Sequence, residues 1–534
     1  MSNEPIDHAF LLLRGYHRPG VQHNKKRHMT KAANESIKGN DLGQKFKISP
    51  RPKISTNLIL PILSSFLIAL LPFPALAIPT EQATHIANIE RGLRPAQALF
   101  GSVVRLATIG DEMRRLHVPG LSVAVIDHGT VVWAKGYGVV TPGGMPVSPD
   151  TQFQAASISK PITAFGAMTM VQAGKIDVDV DIAKYLHSWT LPRAGGDDKV
   201  SALQLLSHTG GLNVSGFPGY APGASVPTLL QVLDGASPAN TESVKVESKP
   251  GGAWKYSGGG YAVLQQLMTD VAAQPFADYM NSHVLTPLGM ASSQFSQPAS
   301  AEILAHAALP HDSAGKPYLG GPSTYPELAA AGLWTTPSDL AKFVLGVQAA
   351  VAGNSTVLDQ SKAMTMLKPV RNGYGLGFEI SGSGADTAFG HGGSNRGYQN
   401  YLYGFVNSGR GAIVMTNADA GDEVARETMR AIAAEYGWPS YQTVMRKSTP
   451  IPAKMARHMA GKYVIPGLGE FEVTIQNGKP LFWIKAGQGE PLYRQADTRF
   501  FVLSQALELQ FDRLPGDTGR IVAGPFDVQF KRIH

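Results

Sequence analysis

Phe153-Gln154-Ala155-Ala156-Ser157-Ile158-Ser159-Lys160 is the stretch around which this chain is organised. It holds Ser-x-x-Lys at the mouth of a helix-like run. Ile158, Ile162, Phe165, Met168 and Val171 recur mostly at three- and four-residue steps, as on one helix face. Pro161 suits the first turn, where its missing N–H costs little, and Gly174 ends the run. A helix starting near Ser157 puts Ser157 and Lys160 one turn apart on the same face. An amine within reach of a hydroxyl takes its proton once burial or a nearby cation lowers the amine's pKa.

The same spacing recurs at Ser313-Ala314-Gly315-Lys316. That copy lies among Gly, Asp and Pro with no amphipathic run behind it, so it reads as a loop without a role. The first copy gains its meaning from the rest of the chain.

At 534 residues the chain is long enough for two or three domains, and 43% hydrophobic against 16% charged residues is a globular balance. The formal charge is +7. Of 47 Lys/Arg and 40 Asp/Glu, residues 1–80 hold 11 and 4, which leaves 36 of each sign in the remainder. Nucleic-acid binding by the folded part therefore has no electrostatic support.

Residues 1–56 are polar and basic without apolar periodicity, the composition of a disordered segment. Residues 58–71 form an uncharged apolar run, and Ala75-Leu76-Ala77 follows with the spacing of a cleavage site. Residues 1–77 thus read as a basic leader and secretory signal peptide, cut after Ala77. The basic part is long, and Met29 offers a second start. The rival reading is an uncleaved anchor, because the uncharged stretch extends to Ile78. Two prolines and the Ala-x-Ala favour cleavage. The absence of cysteine excludes a disulfide framework, a thiolate metal site and a lipid-modified Cys. Export of such a chain fits a bacterial periplasm or secretion.

Residues 81–117 read as helix. Residues 121–126 and 131–138 read as strands joined by the tight turn Asp127-His128-Gly129-Thr130. Four further segments follow: Leu205-Leu206-Ser207-His208-Thr209-Gly210-Gly211-Leu212, Trp254-Lys255-Tyr256-Ser257-Gly258-Gly259-Gly260-Tyr261, Ala331-Gly332-Leu333-Trp334-Thr335-Thr336-Pro337-Ser338-Asp339-Leu340, and Gly390-His391-Gly392-Gly393-Ser394-Asn395-Arg396-Gly397-Tyr398. Residues 401–405 and 411–415 read as strands and 423–436 as a helix.

In this order and at these separations, residues 83–438 resemble the serine β-lactamase and penicillin-binding-protein superfamily, on the side of the class C β-lactamases and their esterase and peptidase relatives. The resemblance implies an α+β fold. An antiparallel sheet is flanked by helices, and a helical subdomain is inserted after the Ser157 helix.

It also implies roles. Ser157 is the nucleophile of an acyl-enzyme that water hydrolyses; taken alone, it reads as a helix N-cap. Lys160 is the base. At its free pKa of about 10.4 it is mostly protonated, so burial must lower it; its alternative is a surface lysine. Tyr256 stands at the family's Tyr-x-Asn position and passes a proton between Ser157 and the leaving group. Its alternative is a core aromatic, as Tyr261 is read. Gly258 replaces the Asn whose amide would bind an acyl-side amide, which weakens the case for peptide-like or β-lactam substrates. His391-Gly392-Gly393 replaces Lys-Thr-Gly. With a free pKa of about 6.5, His391 offers a substrate carboxylate a weaker positive field. Arg396 either supplies that charge or is a solvated loop arginine, the commoner case. The backbone N–H groups of Ser394 and Ser157 would form an oxyanion hole beside Gly393. His208 reads as structural, capping or packing a turn. No Gly-x-Ser-x-Gly and no His-Glu-x-x-His occurs, against an α/β-hydrolase and a zincin.

Residues 439–452 read as a polar, proline-bearing linker. Beyond it the period becomes two: Phe471, Val473 and Ile475 alternate with polar residues, Asn477-Gly478 turns the chain into residues 481–484, and residues 500–503 and 507–511 continue. Val528, Phe530 and Ile533 close the chain. Residues 453–534 thus read as a small antiparallel β-barrel. It resembles the lipocalin-like module found after some members of this superfamily, with a structural or oligomerising role as the default.

The expectation is an exported serine hydrolase cleaving an ester or amide, with an esterase or D-amino-acid peptidase favoured. The alternatives are a true β-lactamase or penicillin-binding D,D-carboxypeptidase, and a non-catalytic binding protein on the same fold. No cofactor or metal is implied. The expected partners are a small-molecule or short-peptide acyl substrate, a membrane only through an uncleaved leader, and a second copy through the C-terminal domain.

Overall fold

Strand β1 (Gly120–Asp127) serves two cores at once. Leu121, Val123 and Val125 enter one core, while Ala124 and Ile126 enter the other. In the computed structural model, which describes residues 80–193, 199–466, 469–484, 489–504, 507–523 and 526–533, this strand is the second of a six-stranded antiparallel sheet. The other strands are β2 (Thr130–Gly138), β3 (Glu379–Ser381), β4 (Ala388–Asn395), β5 (Tyr398–Phe405) and β6 (Gly411–Thr416), in the order β2-β1-β6-β5-β4-β3. A strand covered on both faces reads as a continuous apolar run, which is what residues 121–126 are. Each fully buried Leu, Val or Ile contributes about 1.5–3 kcal/mol.

Helices α1 (Ser159–Gln172), α2 (Gly258–Ala272) and α3 (Pro337–Val351) feed the core that holds Ala124 and Ile126. Helix α4 (Gly421–Glu435) and the helix Thr80–Glu90 cover the other face through Val424, Met429, Ile432 and Ile89. The β1–β2 turn has positive φ at both His128 and Gly129, as the sequence required.

Residues 81–117 are not one helix. Thr80–Glu90 and Ile109–Arg115 are helical, and the strand Gln97–Leu99 lies between them. Pro95, which lacks a donor, and Gly101, at φ +82°, interrupt the run. The connector at 439–452 is also structured. Trp438 and Tyr441 are buried, and Val444–Arg446 pairs in parallel with Gln97–Leu99.

The C-terminal segment is a nearly closed nine-stranded antiparallel barrel. Asn477 and Gly478 both take positive φ at its hairpin. Tyr463, Phe471, Phe482, Phe500, Phe511 and Phe530 fill its interior, so side chains occupy the space where a larger barrel would hold a ligand. Gln97 ties it to the sheet domain. Its backbone N–H donates to the Leu503 carbonyl at 3.0 Å, and its side-chain amide donates to the Val502 carbonyl at 2.9 Å. Arg446 adds an ion pair with Glu508 and lies over the Phe501 ring.

The leader, the site after Ala77 and Met29 lie outside the described residues. Among the described residues, no helix is long and apolar enough to cross a membrane.

Candidate active site

From residue 151 to 170 every position is buried except Ser157. A 3₁₀ turn, Ala156–Ile158, precedes α1, and Ala156 sits at φ +52°. A non-glycine residue held there costs about 1 kcal/mol or more, and such strain gathers at functional sites. The turn is anchored on both flanks. Asn395 donates to the Gln154 side chain at 2.8 Å, Asn400 donates to the Gln154 carbonyl at 2.9 Å, and the Ser159 hydroxyl accepts the Leu333 N–H at 3.1 Å. Ser157 makes no capping bond, so the N-cap alternative falls away.

The Lys160 ammonium donates to Ser157 Oγ at 3.0 Å and to the Ala330 carbonyl at 2.8 Å. Lys160 is only 2% exposed. Burial lowers its pKa to about 7, so neutral amine is available near neutral pH. Its Nζ lies 5.0 Å from the centre of the Tyr256 ring and 5.7 Å from that of Tyr261.

Tyr256 comes from the loop before α2. Ser257 caps that helix, its Oγ accepting the Gly260 N–H at 3.0 Å and donating to the Asn213 carbonyl at 2.7 Å. The Tyr256 hydroxyl is enclosed and has no partner of good geometry among the described residues. Burial raises its pKa, and the neighbouring Ser157 hydroxyl pulls it partly back. The phenol therefore stays protonated and faces the nucleophile.

His208 is structural, but at the site itself. Its Nδ1 accepts the Ser257 N–H at 3.1 Å, which places the ring proton on Nε2. Its ring packs against Tyr256, Tyr374 and Tyr261. Burial, and then the charges of Lys160 and His391, hold it well below the usual histidine pKa.

The remaining predicted residues divide. Gly393 lies against the Ser157 turn: a Cβ there would stand 2.2 Å from the Ala155 carbonyl oxygen. Strand β4 thus approaches as only glycine allows. His391 turns inward, with Nδ1 donating to the Gly392 carbonyl at 2.5 Å and Nε2 accepting from the Tyr374 hydroxyl at 3.0 Å. Arg396 is half-buried and stacked rather than freely extended. Its guanidinium lies 3.9 Å over the Tyr318 ring, whose hydroxyl bonds Asp419. A Cβ on Gly258 would stand 3.0 Å from the Phe217 ring, so an aromatic wall occupies the space of the missing Asn.

Sequence reasoning missed Tyr374, Phe217 and the Ala330 carbonyl; only Tyr374, set between Gly373 and Gly375, carried a local signal. It also missed Glu327, which precedes the short helix Leu328–Ala331 that presents that carbonyl. Glu327 is buried, and among the described residues neither carboxylate oxygen has a partner beyond its own backbone. Desolvation raises its pKa to about 8. The second Ser-x-x-Lys is a loop as read, with Asp312 accepting the N–H groups of Ala314 and Lys316.

Compared with known protein families, residues 106–436 match the one described as Beta-lactamase, more than half of the chain. The chain belongs to this family. Protein flp of Staphylococcus aureus (strain N315) is 24% identical over 240 residues, covering 43% of this chain and 44% of that protein. The chain thus spans less than half of that relative. The octameric penicillin-binding protein homologue from Pyrococcus abyssi aligns with a TM-score of 0.54 and 22% identity, over 79% of this chain and 98% of the other. The D-amino acid amidase from Ochrobactrum anthropi SV3 aligns with a TM-score of 0.52 and 20% identity, over 67% and 99%. At such identities the structural likeness speaks for the fold. Membership of the Beta-lactamase family rests on the family match over residues 106–436.

Proposed function

We propose that the chain is an exported serine hydrolase, related to the class C side of the family, that cleaves an ester or an amide. The observation that carries this is the buried Lys160 amine 3.0 Å from the single accessible residue of the turn, Ser157. Lys160 takes the Ser157 proton as Oγ bonds the substrate carbonyl carbon. The oxyanion then meets the N–H groups of Ser157 and Ser394. The β4–β5 register supports this: with Asn395, Gly393 and His391 bonded to β5, the intervening Ser394 N–H faces away from that strand. Tyr256 passes the proton to the leaving oxygen or nitrogen as its bond to the acyl carbon breaks. Water then attacks the acyl-enzyme, with Lys160 and Tyr256 moving its proton, and releases the acid.

Two features favour an esterase or D-amino-acid peptidase over an efficient β-lactamase. Phe217 stands where an acyl-amide partner would project from position 258, and both His391 nitrogens bond within the protein. The 453–534 barrel, lipocalin-like in our reading, serves structure or self-association. Its filled interior supports this, and a relative in the same fold is octameric.

The test is covalent labelling by a fluorophosphonate and a fluorescent penicillin, with Ser157→Ala alongside. Fluorophosphonate labelling is expected in the parent and lost in the variant; equal labelling of both would remove Ser157 as nucleophile. Turnover of p-nitrophenyl esters, D-Ala-D-Ala peptides and a chromogenic cephalosporin then ranks the substrates.

A further inference from the structure

Residues 100–106 leave the folded domain as an apolar loop. Gly101, at φ +82°, turns the chain, and the Ser102 hydroxyl pins the turn to the Leu99 carbonyl at 2.7 Å. Phe100 is 68% exposed, Val103 95% and Leu106 53%. No other seven-residue stretch among the described residues exposes three large apolar side chains. Met445, 43% exposed, joins them because the strand Val444–Arg446 pairs with Gln97–Leu99.

That pairing also brings together two segments without acids. Residues 91–110 hold Arg91, Arg94 and Arg105, and residues 436–466 hold Arg446, Lys447, Lys454, Arg457 and Lys462, with no Asp or Glu in either. Beyond residue 80 the chain as a whole, these eight cations included, balances 36 positive against 36 negative side chains, so this excess is local. Neighbouring elements answer part of it: Arg446 pairs with Glu508, and Arg105 reaches Glu112 while staying 75% exposed. Lys447 and Arg91 remain exposed, and the Lys447 ammonium lies 5.5 Å over the Phe100 ring.

We propose that this loop, with Met445 and Lys447, seats on an anionic phospholipid surface. Exposed apolar tips ringed by cations fit the boundary between headgroups and acyl chains, where the tips leave water and the cations meet phosphate. A soluble polyanion would satisfy the cations and leave Phe100 and Val103 in water. A second copy would set two basic faces against each other.

The chain has no cysteine, so Val103→Cys in the full chain takes an environment-sensitive thiol dye at one site. Leu319→Cys, at a position 91% exposed, is the control; the leader is common to both. Phosphatidylglycerol vesicles should blue-shift the dye at 103 and leave 319 unchanged. Phosphatidylcholine vesicles or about 0.5 M salt should abolish most of the shift. Adding Phe100→Ser and Leu106→Ser should weaken the vesicle response about tenfold. No shift at 103, an equal shift at 319, or an equal shift with soluble polyphosphate would overturn the proposal. So would a shift that grows with protein concentration without vesicles, which would assign the loop to a second copy.

Discussion

The His208 ring lies 4.3 Å, centre to centre, from the Tyr256 ring, while its Nδ1 holds the N–H of the next residue, Ser257. One imidazole thus fixes both the backbone and the ring face of the proposed proton shuttle. His208→Phe keeps a ring and loses the acceptor. It should lower kcat about tenfold, the rate equivalent of a lost hydrogen bond, with KM little changed. His208→Asn should recover most of that, since Asn tolerates the φ of +58° and offers Oδ1 in place of Nδ1. Steady-state kinetics on an ester, with melting temperatures alongside, decide it. Equal losses in both variants would leave only the packing of the ring.

Lys160 accepts the Ser157 proton only when neutral. Acylation should therefore rise with pH through about 7 and level off above, because the protonated amine that dominates below cannot act as base. Lys160→Arg stays protonated throughout and should lose about 10²- to 10⁴-fold in rate. A flat fluorophosphonate rate from pH 5 to 9 in the parent would argue that another group takes the proton.

Glu327 gives a stability signature of opposite sign. Its pKa is raised from 4.5 to about 8, so the folded state keeps a proton that the unfolded state releases between those values. The stabilisation from that held proton is complete below pH 4.5 and is lost as pH rises to 8. Glu327→Gln removes the dependence. The variant should melt level with the parent near pH 4 and above it at pH 8, the gap corresponding to a few kcal/mol at about 1.4 kcal/mol per pKa unit. Thermal melts across that range test it, and a pH-independent gap would count against a desolvated carboxyl that keeps its proton.

Gly393→Ala drives a methyl group against the Ala155 carbonyl oxygen. The strand or the nucleophile turn must move, at a cost of about 1–3 kcal/mol. Labelling of Ser157 should fall more than a hundredfold while circular dichroism shows an intact fold. Unchanged labelling would mean that β4 does not set the turn.

Local features were legible in the sequence. Ser157 and Lys160 fall within four residues, and the hairpins at His128-Gly129 and Asn477-Gly478 need the positive φ their residues supply. Contacts between distant segments were not. Nothing near Val444 announces Gln97 as its partner, so a strand read as linker and a broken region read as helix. Gly258 looked like a lost Asn because Phe217, which fills its space, lies 41 residues earlier. The inward turn of His391 likewise depends on Tyr374, on a separate segment.

Strand β1 pairs with β6, Gly411 lying opposite Ile126. This seam therefore joins an early strand of the domain to the last strand of the sheet in chain order. A chain cut or stalled before residue 411 leaves the edge of β1 without a mate and its Val and Ile side chains in water, a template for aggregation. Cooperative assembly must wait for nearly the whole domain to be synthesised, a high contact order that slows folding.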